Sequence, residues 1–288
     1  MDGVDHVLLT RFNLPSLGAE SVVRALDGWL LDRAELFERW CLPSVRAQSN
    51  QDFSWVVYFD PESPDWLKER IVDSWAPSTF TPFFREEVLR DDLLADIRSV
   101  SGGSRKTLLT TNLDNDDGLA ADFVDRVQRV APRDRQSAIY LTNGLIISGP
   151  DLYLRRDRTN AFCSVAEPWA HAGTCWVDWH VSLGQNMPVI EAAGPPAWLQ
   201  VVHGNNVSNR VRGTLTSPLP HREIFAGLLD DAAVPSGRRL LKERFAGVPL
   251  RSAKEASRAV AKSLALRLVG RRGLDRIKLR LARRRRTV

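Results

Sequence analysis

Apolar residues along the chain alternate between short continuous runs and helical stripes. Residues 5–10 (DHVLLT) read as a strand followed at once by Arg11, Phe12 and Asn13. Residues 31–48 place Ala34, Phe37, Trp40, Cys41 and Val45 at the spacing of one helical face, and Pro43 should kink or split that helix. Residues 53–60 (FSWVVYFD) are a near-continuous apolar run, a central strand ending in an acid. Ser63 and Asp65 open a short helix over 66–75, with Pro64 near its first turn. A weaker strand follows over 78–84, then a helix over 86–100 with Val88, Leu89, Leu93, Leu94 and Ile97 inward. The loop 101–104 (SGGS) leads back to a buried strand over 108–111. Strands alternating with helices predict a parallel α/β sheet.

Residues 119–130 predict the next helix, with Phe123, Val124 and Val127 buried. Residues 137–141 and 144–148 read as two short strands around Asn143-Gly144, a hairpin signal. Regularity then falls. Residues 149–220 hold Trp169, Trp176, Trp179, Trp198, His171, His180 and His203, a composition that suits a substrate-facing region hung on a rigid sheet.

The strand over 108–111 ends in TTNLDNDDG, with Asp114, Asp116 and Asp117 within four positions. Like charges so close raise one another's pKa, and hard oxygen ligands at a strand end suit Mg²⁺ or Mn²⁺ bound together with substrate phosphates. The same string is also good turn chemistry, because Asn, Asp and Gly form Asx-turns and tolerate left-handed backbone. An EF-hand loop is excluded: with Gly118 at its sixth position the first ligand would be Leu113.

Composition and charge narrow the function. The chain has 288 residues, 43% of them hydrophobic, enough for a full core. No run approaches the ~20 apolar residues of a membrane span, and residues 1–5 lack a signal-peptide pattern, so a cytoplasmic protein is expected. Cys41, Cys163 and Cys175 show no CxxC spacing and read as small buried hydrophobes. Charge is concentrated at the end: residues 251–288 carry fourteen Lys and Arg against Glu255 and Asp275, a net of +12. The whole chain carries +5, so the first 250 residues carry −7, a poor balance for specific nucleic-acid binding. In the tail Ala256, Val260, Leu264 and Leu268 recur at helical spacing, and Leu274, Ile277 and Leu281 continue the stripe. Such a basic amphipathic segment suits an anionic membrane surface; a solvated basic end binding RNA nonspecifically is the other reading.

HVLLTRFN, ELFERWCLPSVRAQSNQDFSWVVYFD, TTNLDNDDGL, FCSVAE and WLQVVHGNNVSN, in that order over residues 5–210, resemble the rhamnosyltransferase family of bacterial glycosyltransferases, which look like GT-A enzymes. The resemblance implies a GT-A-like α/β fold, a mostly parallel sheet flanked by helices with an irregular acceptor-side half. It implies a nucleotide-sugar-binding half over 1–148 and an acceptor-side half over 149–250, while the charge and apolar spacing set off the basic helical tail over 251–288. It also implies a donor that is a nucleoside-diphosphate sugar, an acceptor that is a glycan or lipid-linked glycan, and a divalent cation, Mn²⁺ or Mg²⁺. The family's Asp-x-Asp element falls on Asp114 and Asp116, with Asp117 beside them, and its later histidine ligand on His203. Asn112 stands where the family commonly has Arg, so Arg11 or Arg105 should supply the missing cation to the nucleotide, with Asn13 near the base or phosphate.

An inverting transfer needs a carboxylate to take the acceptor proton. Glu167, at the end of a strand-like run, is the first choice and Asp178 the second, with Trp169 or Trp176 flanking the acceptor. Glu167 before Pro168 would equally serve as a helix-start carboxylate. Two other classes stay open: a metal-dependent phosphohydrolase, against which the lack of a DxDxT motif counts, and a non-catalytic membrane-associated scaffold.

Overall fold

The computed structural model describes residues 3–15, 28–203, 211–247 and 249. The basic tail, residues 251–288, lies outside the described residues, as do Asn205 and Asn206 of the VVHGNN segment.

The expected α/β architecture is present. Seven strands form one sheet in the order β10-β6-β9-β4-β1-β2-β3. They are β1 (Val4–Arg11), β2 (Ser54–Phe59), β3 (Thr81–Phe84), β4 (Thr107–Asn112), β6 (Ser137–Leu141), β9 (Ser164–Pro168) and β10 (Val189–Ala192). β4, β1, β2 and β3 run parallel, whereas β9 runs antiparallel between β4 and β6. β1 is apolar on both faces because both are covered. Leu8 joins one core with Phe37, Cys41, Val45, Trp55 and Phe123, while Val7 and Leu9 join another with Val56, Leu93 and Ile97. Helix α1 therefore packs on one face, and α3 (Arg90–Ser101) on the other. Phe37 of α1 meets Phe12, Trp55 and Trp75 at ring distances of 5.3, 5.6 and 4.9 Å, and burial of one such ring contributes about 2–3 kcal/mol.

Pro43 does not split α1. Three segments follow one another without a break: Trp29–Leu36, a π-type turn Phe37–Cys41, and Leu42–Arg46. An α-helical proline ring collides with the carbonyl four residues back, and the widened turn just before Pro43, where the Leu42 N–H reaches Phe37 O, accommodates it. Helix α2 (Asp65–Arg70, continued by a π-type turn Ile71–Trp75) buries Leu67, Ile71 and Trp75. Leu89, expected inward, is 55% exposed, because α3 starts only at Arg90.

A second, five-stranded sheet, which the sequence pattern does not announce, has the order β12-β8-β7-β11-β5. It comprises β5 (Gly118–Leu119), β7 (Asn143–Ser148), β8 (Asp151–Arg156), β11 (Trp198–Val202) and β12 (Thr214–Thr216). Strands from either side of residue 148 enter both sheets. Helix α4 (Phe123–Val130) buries Phe123, Val124 and Val127 as expected, but Leu119 belongs to β5 instead. All three cysteines are free and buried.

The hairpin expected at Asn143-Gly144 is absent: β6 and β7 go to different sheets, and the tight turn joins β7 to β8 at Gly149, whose φ is 56°. Gly144 serves a close approach. A Cβ there would lie 2.0 Å from Cδ2 of Trp198. That indole stacks on Phe162 at 5.1 Å and donates from Nε1 to Leu141 O at 2.8 Å, so it has nowhere to go. Gly144→Ala is expected to destabilise the protein by about 3 kcal/mol in urea unfolding, a full overpacking cost. Gly149→Ala, with no atom near its Cβ position, should cost only the ~1–2 kcal/mol of left-handed backbone. Equal stability of Gly144→Ala and the parent protein would disprove the packing account.

Candidate active site

The carboxyl ends of β1 and β4 lie side by side, with Leu9 opposite Asn112, and the loop after β4 fills the junction between the two sheets. The side chains of Asn115, Asp116 and Asp117 are each tied to a different element. Thr10 Oγ1 donates to Leu113 O at 2.8 Å, which holds the loop's start against β1. Asn115 Nδ2 donates to the carbonyls of Arg11 and Phe12 at 2.8 and 2.7 Å. Asp116 Oδ2 meets Arg33 Nη1 of α1 at 2.8 Å and His203 Nε2 at 3.0 Å. Asp117 Oδ1 accepts from the Val201 N–H of β11 at 2.8 Å. The loop is thus no solvated turn: Asn115, Asp116 and Asp117 are all buried.

The three carboxyl groups are pushed in different directions by their surroundings. Burial alone would raise Asp116, but the hydrogen bond from His203 and the charge of Arg33 outweigh it and hold the carboxyl below its ordinary value. Asp117 is pushed well up, by burial first and then by Asp116 and Asp114. Its Oδ2 is buried with no hydrogen-bond partner among the described residues. Asp114 is also raised, by its enclosure among protein atoms and by Asp116, although its carboxyl opens onto a cavity.

That cavity, about 660 Å³, is lined by Arg11, Asn112 and Asp114 on one side and by Trp176, Asp178, Trp179 and His180 on another. Arg155, Asp157, Gln200 and Arg212 complete the wall from the second sheet and its connections. Asn112 organises its corner: Oδ1 accepts from Trp176 Nε1 at 2.7 Å, and Nδ2 donates to Ala161 O at 2.9 Å. The Arg11 guanidinium lies 4.0 Å above the Trp176 ring. The cation expected near Asn112 is therefore Arg11.

Neither Asp116 nor His203 is among the residues that line the cavity, and five other expected residues fall elsewhere. Arg105 precedes β4 at the far end of the sheet, where its N–H donates to Asp5 Oδ2 at 3.1 Å. Glu167 pairs with Leu108, four residues and about 13 Å before Asn112 along β4, and is 1% exposed. It accepts hydrogen bonds from Gln136 Nε2, Gly173 N and Thr174 N at 2.8, 3.1 and 2.7 Å, so it anchors a loop and cannot receive a substrate proton. β9 runs antiparallel to β4, which carries its end away from the acidic loop. Asn13 is buried, donating to Ser63 Oγ at 2.9 Å and accepting from the Asp60 N–H at 3.0 Å. Asp117 faces β11, not the cavity. Of the two tryptophans proposed for the acceptor, Trp176 lines the cavity, while Trp169 donates to Asp5 at the far end.

Arg33 and Asp157 are additions that the sequence reading missed. One signal existed for Arg33: it lies four residues before Phe37, on the inward stripe of α1, where an arginine needs a buried partner. Asp157 had none, since β8 was not anticipated.

Among the described residues no three His, Cys, Asp or Glu side chains converge as a metal site. The donor set nonetheless fits a divalent ion that is shared with substrate. Two ligands about 2.1 Å from one octahedral cation stand about 3 Å apart, which is the spacing of Asp116 Oδ2 and His203 Nε2.

Residues 5–215 match the model of a family described as "Putative rhamnosyl transferase", and the chain belongs to that family. Membership makes it glycosyltransferase-like. No curated protein matches the chain. Among solved structures it is similar to TarS of S. aureus in complex with UDP-GlcNAc, with a TM-score of 0.39 and 9% identity over 82% of this chain and 69% of that one. It is also similar to the inositol-1-phosphate CTP transferase of T. maritima, with a TM-score of 0.38 and 9% identity over 81% of this chain and 100% of that one.

The position of Glu167 makes a sharp expectation. Glu167→Gln replaces one of two acceptor oxygens with a donor facing donors, so stability should fall by about 1–3 kcal/mol. Release of nucleoside diphosphate per folded molecule should stay within about twofold of the parent, since ~10² or more is the loss that follows removal of a general base. A large loss of rate at unchanged stability would restore Glu167 to the chemistry.

Proposed function

We propose that this protein transfers a sugar, rhamnose in the first instance, from a nucleoside-diphosphate donor to a glycan or lipid-linked glycan acceptor, with inversion. One observation carries the reading: a single cavity joins Asp114, Asn112 and Arg11, at the ends of the parallel strands, to Asp178 and Trp176. In an open α/β sheet that end is where ligands lie. Arg11, stacked on Trp176, is placed to meet a phosphate or base, and Asn112 fixes the indole that carries it. Asp116 and His203 would hold Mn²⁺ or Mg²⁺, with Asp114 toward the donor. Such an ion, when bound, neutralises the charge that develops on the leaving diphosphate.

Asp178 takes the role of base that Glu167 cannot fill. Its Oδ1 accepts from the Trp179 N–H at 2.7 Å and its Oδ2 from Asn186 Nδ2 at 3.0 Å, which orient the carboxylate at the exposed rim of the cavity. The exposed Trp179 beside it offers an acceptor sugar a stacking face.

The tail is proposed to hold the protein on the cytoplasmic face of an anionic membrane. Helix α5 (Gly237–Lys242, continued by Glu243–Gly247), which leads toward it, buries no side chain. It exposes Leu241 and Phe245 together with Arg238, Lys242 and Arg244. Among the described residues no helix is long and apolar enough to cross a membrane.

Asp116→Asn, which keeps the shape of a buried side chain, should abolish Mn²⁺-dependent release of nucleoside diphosphate from the donor. Asp178→Asn should lower kcat for transfer by ~10² to 10⁴ while a donor-induced thermal shift stays unchanged. Release of inorganic phosphate would instead mark a phosphohydrolase, and no release with any donor a scaffold. Deleting residues 251–288 should leave donor hydrolysis intact and abolish sedimentation with anionic liposomes, binding that weakens as salt rises in the full chain. Equal liposome binding by both proteins would remove the anchor.

A further inference from the structure

Arg33 and a divalent ion both have a claim on the same oxygen. The Arg33 guanidinium is not a passing surface contact: its side chain is 16% exposed and that of Asp116 9%. The nitrogen that lies 2.8 Å from Asp116 Oδ2 also donates to Asn115 Oδ1 at 2.9 Å. Asn115 cannot follow a moving arginine, because its amide is fixed to the carbonyls of Arg11 and Phe12 at the end of β1. The Trp29 ring, 5.2 Å from the guanidinium carbon, adds a third fixed neighbour. The seat is therefore built by α1, β1 and the acidic loop together.

We propose that Arg33 is a resident counter-cation of Asp116, one that a divalent ion must displace, so that the protein alone holds the metal weakly. The inference rests on Asp116 as a metal ligand, as argued above. A guanidinium keeps its charge at any working pH, and it cannot remain one hydrogen-bond length from an oxygen that also binds a dication in weakly screened surroundings without strong repulsion. The displaced fork has an obvious new partner. Phosphate oxygens match its paired N–H groups, so a diphosphate that draws Arg33 off Asp116 would open the carboxylate to the metal. Metal and diphosphate would then strengthen one another's binding by the same factor.

The test titrates Mn²⁺ alone into the full chain and follows free Mn²⁺ by electron paramagnetic resonance. Arg33→Gln, which removes the charge, should bind Mn²⁺ at least about tenfold more tightly than the parent, an increment of ~1.4 kcal/mol. Arg33→Lys, which keeps the charge, should stay close to the parent. Arg33→Met, whose unbranched side chain can still pack in the arginine's place, is a second uncharged variant with the same expectation if the glutamine variant fails to fold. The gain should vanish when Asp116→Asn is added to either. An Arg33→Gln protein, folded by circular dichroism, that binds Mn²⁺ no better than the parent would overturn the counter-cation role while Asp116→Asn still separates it from the metal reading. Absence of Mn²⁺ binding in every folded variant would overturn both.

Discussion

Three carboxylates within four residues, two of them buried, set the terms for the rest of this structure. Such a cluster is stable only if each charge is either balanced or suppressed. Asp116 is balanced by Arg33 and His203, Asp117 is driven toward its neutral form by burial, and Asp114 is left open to the cavity. Meeting these needs calls on α1, on the strand that precedes His203, and on the end of β1. The loop is the point where both sheets and the first helix are fastened together.

The cavity follows from that junction. Its floor comes from the parallel strands of the first sheet, where Asn112 and Arg11 sit, and part of its wall from β7, β8 and β11 of the second. Trp176 ties the two chemistries, since it carries Arg11 on its face and hydrogen-bonds to Asn112 while belonging to the same loop as Asp178. Arg11 and Asp178 are thereby both positioned by one short segment of chain.

The central strands and the acidic loop were legible in the sequence because local pattern carries them: continuous apolar runs at β1, β2 and β4, and an Asp-x-Asp string after the last. The pairing of Asp116 with His203 across 87 positions came only from the family resemblance. What failed depended on strand direction and on distant packing. Glu167 looked like an acid at the end of a strand, and it is, but β9 runs against β4, so that end is the far one. Gly144 looked like a turn glycine and is a seat for the Trp198 ring. Arg105 and Arg11 are equivalent by residue type, and only the register of β1 against β4 separates the cavity end of the sheet from the far end. The second sheet was missed because its strands are interleaved along the chain with those of the first and, the β7–β8 hairpin apart, pair across large separations.

The bond from Asp117 to the Val201 N–H spans 84 positions of chain. During synthesis, at ~5–20 residues per second, the acidic loop emerges roughly 4–17 s before its partner strand exists. Over the first part of that interval, until residues 164–168 are made, β4 also lacks β9 on one flank. The nascent chain therefore presents the apolar runs of β1, β2 and β4 before the strand that flanks them is made, which makes those three runs natural segments for chaperone engagement while residues 113–168 are being synthesised.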